Sequence, residues 1–106
     1  MTSVRIAALI GLGLAICPVI AGSITSVSQR NRSFEVAELQ IARGGAVRFT
    51  NDDAFPHQIA VRGPSLQYES DLMAPLQAVE LQFPDAGRFD VRCGIHPRMR
   101  MTVDVR

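Results

Sequence analysis

The sequence holds no lysine, only two cysteines and only two histidines in 106 residues. All of its basic residues are arginine, and eleven of them against ten acidic residues leave a formal net charge of +1. No stretch is basic enough to bind nucleic acid, and there is no acidic tail. So few cysteines exclude an iron–sulfur cluster. Two histidines are too few for an enzyme built on several metal centres. Neither internal repeats nor low-complexity segments occur, and the length fits one domain.

What is present begins with a leader. Arg5 is followed by the uncharged apolar run IAALIGLGLAICPVIAG, then by small residues at Ala21, Gly22 and Ser23. A basic start, an apolar middle and a small-residue end predict a secretory signal over residues 1–23 and a periplasmic protein. The alternative is an uncleaved anchor, but the run is short of a full span and is broken by Gly11, Gly13 and Pro18. Leu14-Ala15-Ile16-Cys17 is a poor lipoprotein box, because Ile16 is bulky before the cysteine. Cleavage removes Cys17 and leaves Cys93 as the lone thiol of residues 24–106. It is then a buried inert thiol, an interchain partner or a metal ligand.

Beyond residue 23 apolar residues recur with period two. Leu39 and Ile41 face one way, as do Val47 and Phe49, then His57, Ile59 and Val61, then Val79, Leu81 and Phe83. Phe89, Val91 and Cys93 alternate with Arg88, Asp90 and Arg92, and Met99, Met101, Val103 and Val105 alternate with Arg100, Thr102 and Asp104. Such alternation predicts strands with one face in a core. Arg43-Gly44-Gly45 and Pro84-Asp85-Ala86-Gly87 read as turns between them. Residues 24–29 are a weaker strand candidate, and residues 63–77 read as a long connection with room for a helical turn. The fold class is an all-β sandwich.

The chemistry-bearing residues fall at strand ends. In VRCGIHPRMRM, Cys93 ends one inward-facing run and Met99 opens the next, with His96 between them. His57 heads another inward-facing run. Taken singly, an inward methionine, histidine or cysteine is ordinary core. Taken together, one thiolate, two imidazoles and a thioether are the donor set of a blue-copper electron-transfer site. Zinc favours more thiolates and has no use for methionine.

Cys93-Gly-Ile-His96-Pro-Arg-Met99 resembles the ligand loop of the cupredoxins, most closely the short loop of the amicyanins, with pseudoazurin and plastocyanin having a later methionine. Phe49-Thr-Asn51-Asp52-Asp53 and Pro56-His57 are similar to the segment leading to the first histidine ligand, and the resemblance spans roughly residues 34–106. It implies a Greek-key β-sandwich over residues 24–106 and one copper cycling between Cu(I) and Cu(II). It implies His57, Cys93 and His96 as strong ligands and Met99 as the axial one. The function implied is one-electron transport by a monomer between a redox donor and acceptor, docking transiently near His96 with Ile95 and Pro97 beside it.

Two positions depart from the family pattern. Gln58 stands where many relatives have the asparagine that ties the ligand loops together. Met101 stands where longer-loop relatives have the axial methionine; both methionines share a face, and the short-loop spacing with Pro97 favours Met99. Arg92, Arg98 and Arg100 read as a solvated face, with Arg98 a candidate for steering an acidic partner. Asp52 and Asp53 read as turn residues. The alternative function is a copper carrier that delivers metal rather than electrons; a metal-free adhesion sandwich and a copper enzyme are further alternatives.

Overall fold

The computed structural model describes residues 22–106, so nearly all of the expected signal over residues 1–23 lies outside it. Nine strands form two sheets: β1 (Ile24–Arg30), β2 (Ser33–Phe34), β3 (Glu38–Ile41), β4 (Ala46–Asn51), β5 (Ala60–Arg62), β6 (Gln67–Glu69), β7 (Ala78–Gln82), β8 (Gly87–Cys93) and β9 (His96–Val105). The first sheet runs β2-β1-β4-β7 and the second β3-β9-β8-β5-β6. This is the all-β Greek-key sandwich expected. Neighbouring strands are antiparallel except β1 with β4 and β3 with β9, which run parallel.

The alternating residues build the space between the sheets. Val27, Val47 and Phe49 from the first sheet meet Ile59, Val61, Phe89, Val91, Met101 and Val103 from the second, all of them buried. Phe83 and Phe89 pack edge to face at 5.3 Å between centroids, and Phe34 and Phe49 at 6.1 Å. Each buried ring contributes on the order of 2–3 kcal/mol of transfer free energy, which fixes the faces of β4 and β8.

Three elements differ from the sequence reading. Residues 24–29 form a full strand, although Gln29 on its inward face is polar and buried. Residues 63–77 contain β6 and a bridge at Met73, with no helical turn. His57 precedes β5 instead of starting it, and is held by that bridge: its N–H donates to the Met73 carbonyl at 3.1 Å and its carbonyl accepts from the Met73 N–H at 2.8 Å.

Candidate metal centre

The end of β8 and the start of β9 meet in a hairpin whose turn is only Gly94 and Ile95. His96, expected in a loop, is a strand residue opposite Cys93. The register slips between Arg92 and Cys93, an irregularity of the kind that re-aims side chains beside functional sites. From the other segment, His57 is fixed by its bridge to Met73 and by Asn51. The buried Asn51 amide donates to the Phe55 and Met73 carbonyls at 2.9 Å each, and its oxygen accepts the Asp53 N–H at 2.9 Å.

These constraints bring the three side chains together. Cys93 Sγ lies 3.7 Å from His57 Nδ1 and 3.6 Å from His96 Nδ1, and the three donor atoms lie within 4.8 Å of one another. His57 and Cys93 are buried; His96 is half-buried. An ion about 2.3 Å from sulfur and about 2.0 Å from imidazole nitrogen separates those donors by roughly 3.5 Å at a tetrahedral angle and roughly 3.7 Å at a trigonal one. The observed separations match that range, so the cage fits one metal ion. One soft thiolate with two imidazoles suits copper.

The surrounding hydrogen bonds are directed at the donors. The Gln58 N–H points at Cys93 Sγ, 3.4 Å away. His57 turns Nδ1 toward the sulfur, so Nε2 carries the proton and donates to Asp53 Oδ2 at 2.6 Å. Asp53 is therefore more than the turn residue it resembled. Its carboxylate also accepts the N–H of Asn31 at 2.6 Å and of Arg32 at 3.1 Å. Burial pushes the Asp53 carboxyl up, but the bonds from His57, Arg32 and Asn31 together outweigh it and hold the group below the usual carboxylate range. His96 is held below an ordinary histidine, chiefly by burial and then by the nearby His57 and Arg32, against the opposite pull of Asp53. The Phe55 ring stands edge-on to both imidazoles, 5.5 Å from His57 and 5.7 Å from His96.

Gln58 makes a tie different from the one its shorter counterpart implies. Its amide nitrogen donates to the Ser70 carbonyl at 2.8 Å. Its oxygen occupies the space beside Gly94 where a Cβ there would sit. Glycine after the cysteine and glutamine after the histidine are thus complementary in shape.

Met99 and Met101 are both buried on β9. Met101 pairs with Val91, one inward rung below Cys93, whereas Met99 lies beyond Arg100 toward the hairpin and lines the same hollow as His96. A third buried methionine, Met73, turns its sulfur toward the Gln29 amide at 3.8 Å.

A two-sheet sandwich with one thiolate and two imidazoles converging at one pole is the arrangement of a mononuclear blue-copper protein. The comparisons agree. The chain is 34 % identical over 90 residues to amicyanin-alpha of Methylorubrum extorquens, covering 80 % of this chain and 73 % of that one. It is 32 % identical over 96 residues to amicyanin of Paracoccus denitrificans, covering 81 % and 68 %. A solved methionine-to-alanine variant of amicyanin with Cu(I) superposes with a TM-score of 0.73 at 29 % identity, over 84 % of this chain and 87 % of that one. No family model matches the chain. The chain belongs to the cupredoxins, with amicyanins among its relatives.

Proposed function

We propose that this protein is a periplasmic one-electron carrier with copper held by His57, Cys93 and His96 and by Met99 as a weak axial donor. The observation that carries the reading is the approach of both Nδ1 atoms to Cys93 Sγ, from two distant segments, at separations that suit a single ion. Copper bound there supplies a Cu(I)/Cu(II) couple. The chain's own contribution is rigidity. His57 is fixed by Asn51, Asp53 and the Met73 bridge, and Cys93 by the hairpin and the Gln58 N–H. A donor set held this way changes little between oxidation states, which keeps the cost of moving an electron low.

His96 faces outward. It lines a hollow of about 400 Å³ with Ile95, Pro97, Met99, Arg32 and Arg98, mostly apolar and without a carboxylate. Ile95 is 45 % exposed there. This face suits transient docking of a redox partner close to the metal, and Arg98 on its rim favours an acidic one. The burial of His57 and Cys93 opposes ready transfer of the ion itself, and so the copper-carrier alternative. Both histidines of the chain lie in this one cage, which leaves none for a second centre and supports a carrier over an enzyme. The leader around Arg5 supports export.

Adding Cu(II) to residues 24–106 should produce an intense visible thiolate-to-copper band that a mild reductant bleaches and an oxidant restores. The ion should leave slowly to a chelator. A protein that stays colourless, or gives up copper within the mixing time, overturns the proposal.

A further inference from the structure

The turn joining β1 to β2 is Asn31-Arg32, and both residues have positive φ, 56° and 55°. Two such residues make the tight turn that suits a two-residue hairpin, but its second position normally falls to glycine. Arginine there costs on the order of 1–2 kcal/mol of backbone strain. A surface turn that needed only to reverse the chain would relieve that strain with glycine.

Three observations connect this residue to the metal centre. The carboxylate that accepts the Asn31 and Arg32 N–H groups is the one that orients His57. The Arg32 guanidinium lies 4.6 Å from the centre of the Phe55 ring, which packs edge-on against both imidazoles. Arg32 also lines the hollow around His96. Among the described residues no carboxylate lies within ion-pair distance of the guanidinium, so its charge is not paired away.

We infer that Arg32 is a positioning residue of the metal centre, held in a strained turn so that a fixed cation stacked on Phe55 offsets the Asp53 carboxylate and favours Cu(I). The inference rests on the reading that the cage holds copper. Loss of an electron adds one positive charge to the centre. A carboxylate bonded to His57 makes that easier, and a cation behind Phe55 makes it harder. Stacking on the ring holds the guanidinium in place and keeps its charge from being dispersed over many rotamers.

The test compares copper-loaded wild type with Arg32→Gln, Arg32→Lys and Arg32→Gly by redox titration on the visible band, alongside the melting temperature of the copper-free forms. Arg32→Gln should move the Cu(I)/Cu(II) equilibrium toward Cu(II) on the order of three- to tenfold, the effect of one partly screened charge within about 10 Å. Arg32→Lys should recover most of that shift. Arg32→Gly should show the same shift as Arg32→Gln while its copper-free form melts no lower than wild type, because the turn is relaxed. A blue wild type with unchanged equilibria in the glutamine and glycine variants overturns this inference and leaves the electron-carrier reading standing. Equal shifts in the lysine and glutamine variants overturn the role of charge. A wild type that never becomes blue overturns both.

Discussion

Asp53 Oδ2 and His57 Nε2 lie 2.6 Å apart, with the Asp53 side chain only 6 % exposed. Two residues four positions apart in one loop thus supply both a ligand and the group that fixes its tautomer. A carboxylate behind a ligating imidazole raises its basicity and holds its ring plane, and losing such a partner commonly costs 10–100-fold in metal affinity, as an order of magnitude. Asp53→Ala should weaken copper binding by about that factor. Competition with a chelator of known affinity measures it, and an unchanged affinity would show that Asn51 and the Met73 bridge suffice to orient His57.

The two β9 methionines should separate by function. Met99→Ala is expected to change the blue band and the reduction potential. Met101→Ala should leave both close to wild type and instead lower stability by about 2–5 kcal/mol, the usual range for truncating a buried methionine. Visible spectra and urea melts of the two variants decide it, and the reverse ranking would move the axial role to Met101.

Gly94 and Gln58 should behave as a coupled pair. A methyl group at residue 94 collides with the Gln58 side-chain oxygen. Gly94→Ala should therefore push the Gln58 amide off the Ser70 carbonyl and destabilise the protein by about 0.5–1.5 kcal/mol, the usual worth of one such hydrogen bond. Combined with Gln58→Ala it should cost clearly less than the two single changes added together. A double-mutant cycle from denaturant melts gives the coupling, and simple additivity would show that Gln58 swings away freely.

Acid should reveal Asp52. Hydrogen bonds from the Ser28 and Thr50 hydroxyls hold its carboxyl below the ordinary value. A carboxylate favoured by folding contributes stability above its unfolded pKa and loses it as pH falls through the folded one. The stability gap between wild type and Asp52→Asn should be full at neutral pH and close below the carboxylate range. Melts of the copper-free proteins from neutral to strongly acid pH measure it; a gap independent of pH would exclude a charge effect.

Much of the fold is legible in the sequence, because β4, β8 and β9 alternate cleanly between core and solvent. β1 is harder to read, since Gln29 interrupts its apolar face yet is buried. β2 and β6, of two and three residues, are too short to carry a period at all. In the convergence of His57, Cys93 and His96, only Cys93 follows from a strand end and inward parity, since His57 sits on a bridge ahead of β5 and His96 opens β9 off the parity of Met99 and Met101. The roles of Asp53, Phe55 and Arg32 do not follow, because they depend on a turn whose Asn-Arg pair lacks the usual glycine signature. Only the three-dimensional closure of that turn brings it over the His57 loop. The four-residue spacing from Asp53 to His57 was the one signal available.

The parallel pairing of β3 with β9 has a consequence for how the molecule comes into being. Glu38 is matched with Thr102 and Ile41 with Val105, so the second sheet cannot seal until β9, the last of the described strands, has returned to β3. Contacts that span most of the chain are slow to form. The same strand carries His96 and Met99, so the cage has no closed form until that late docking step is complete.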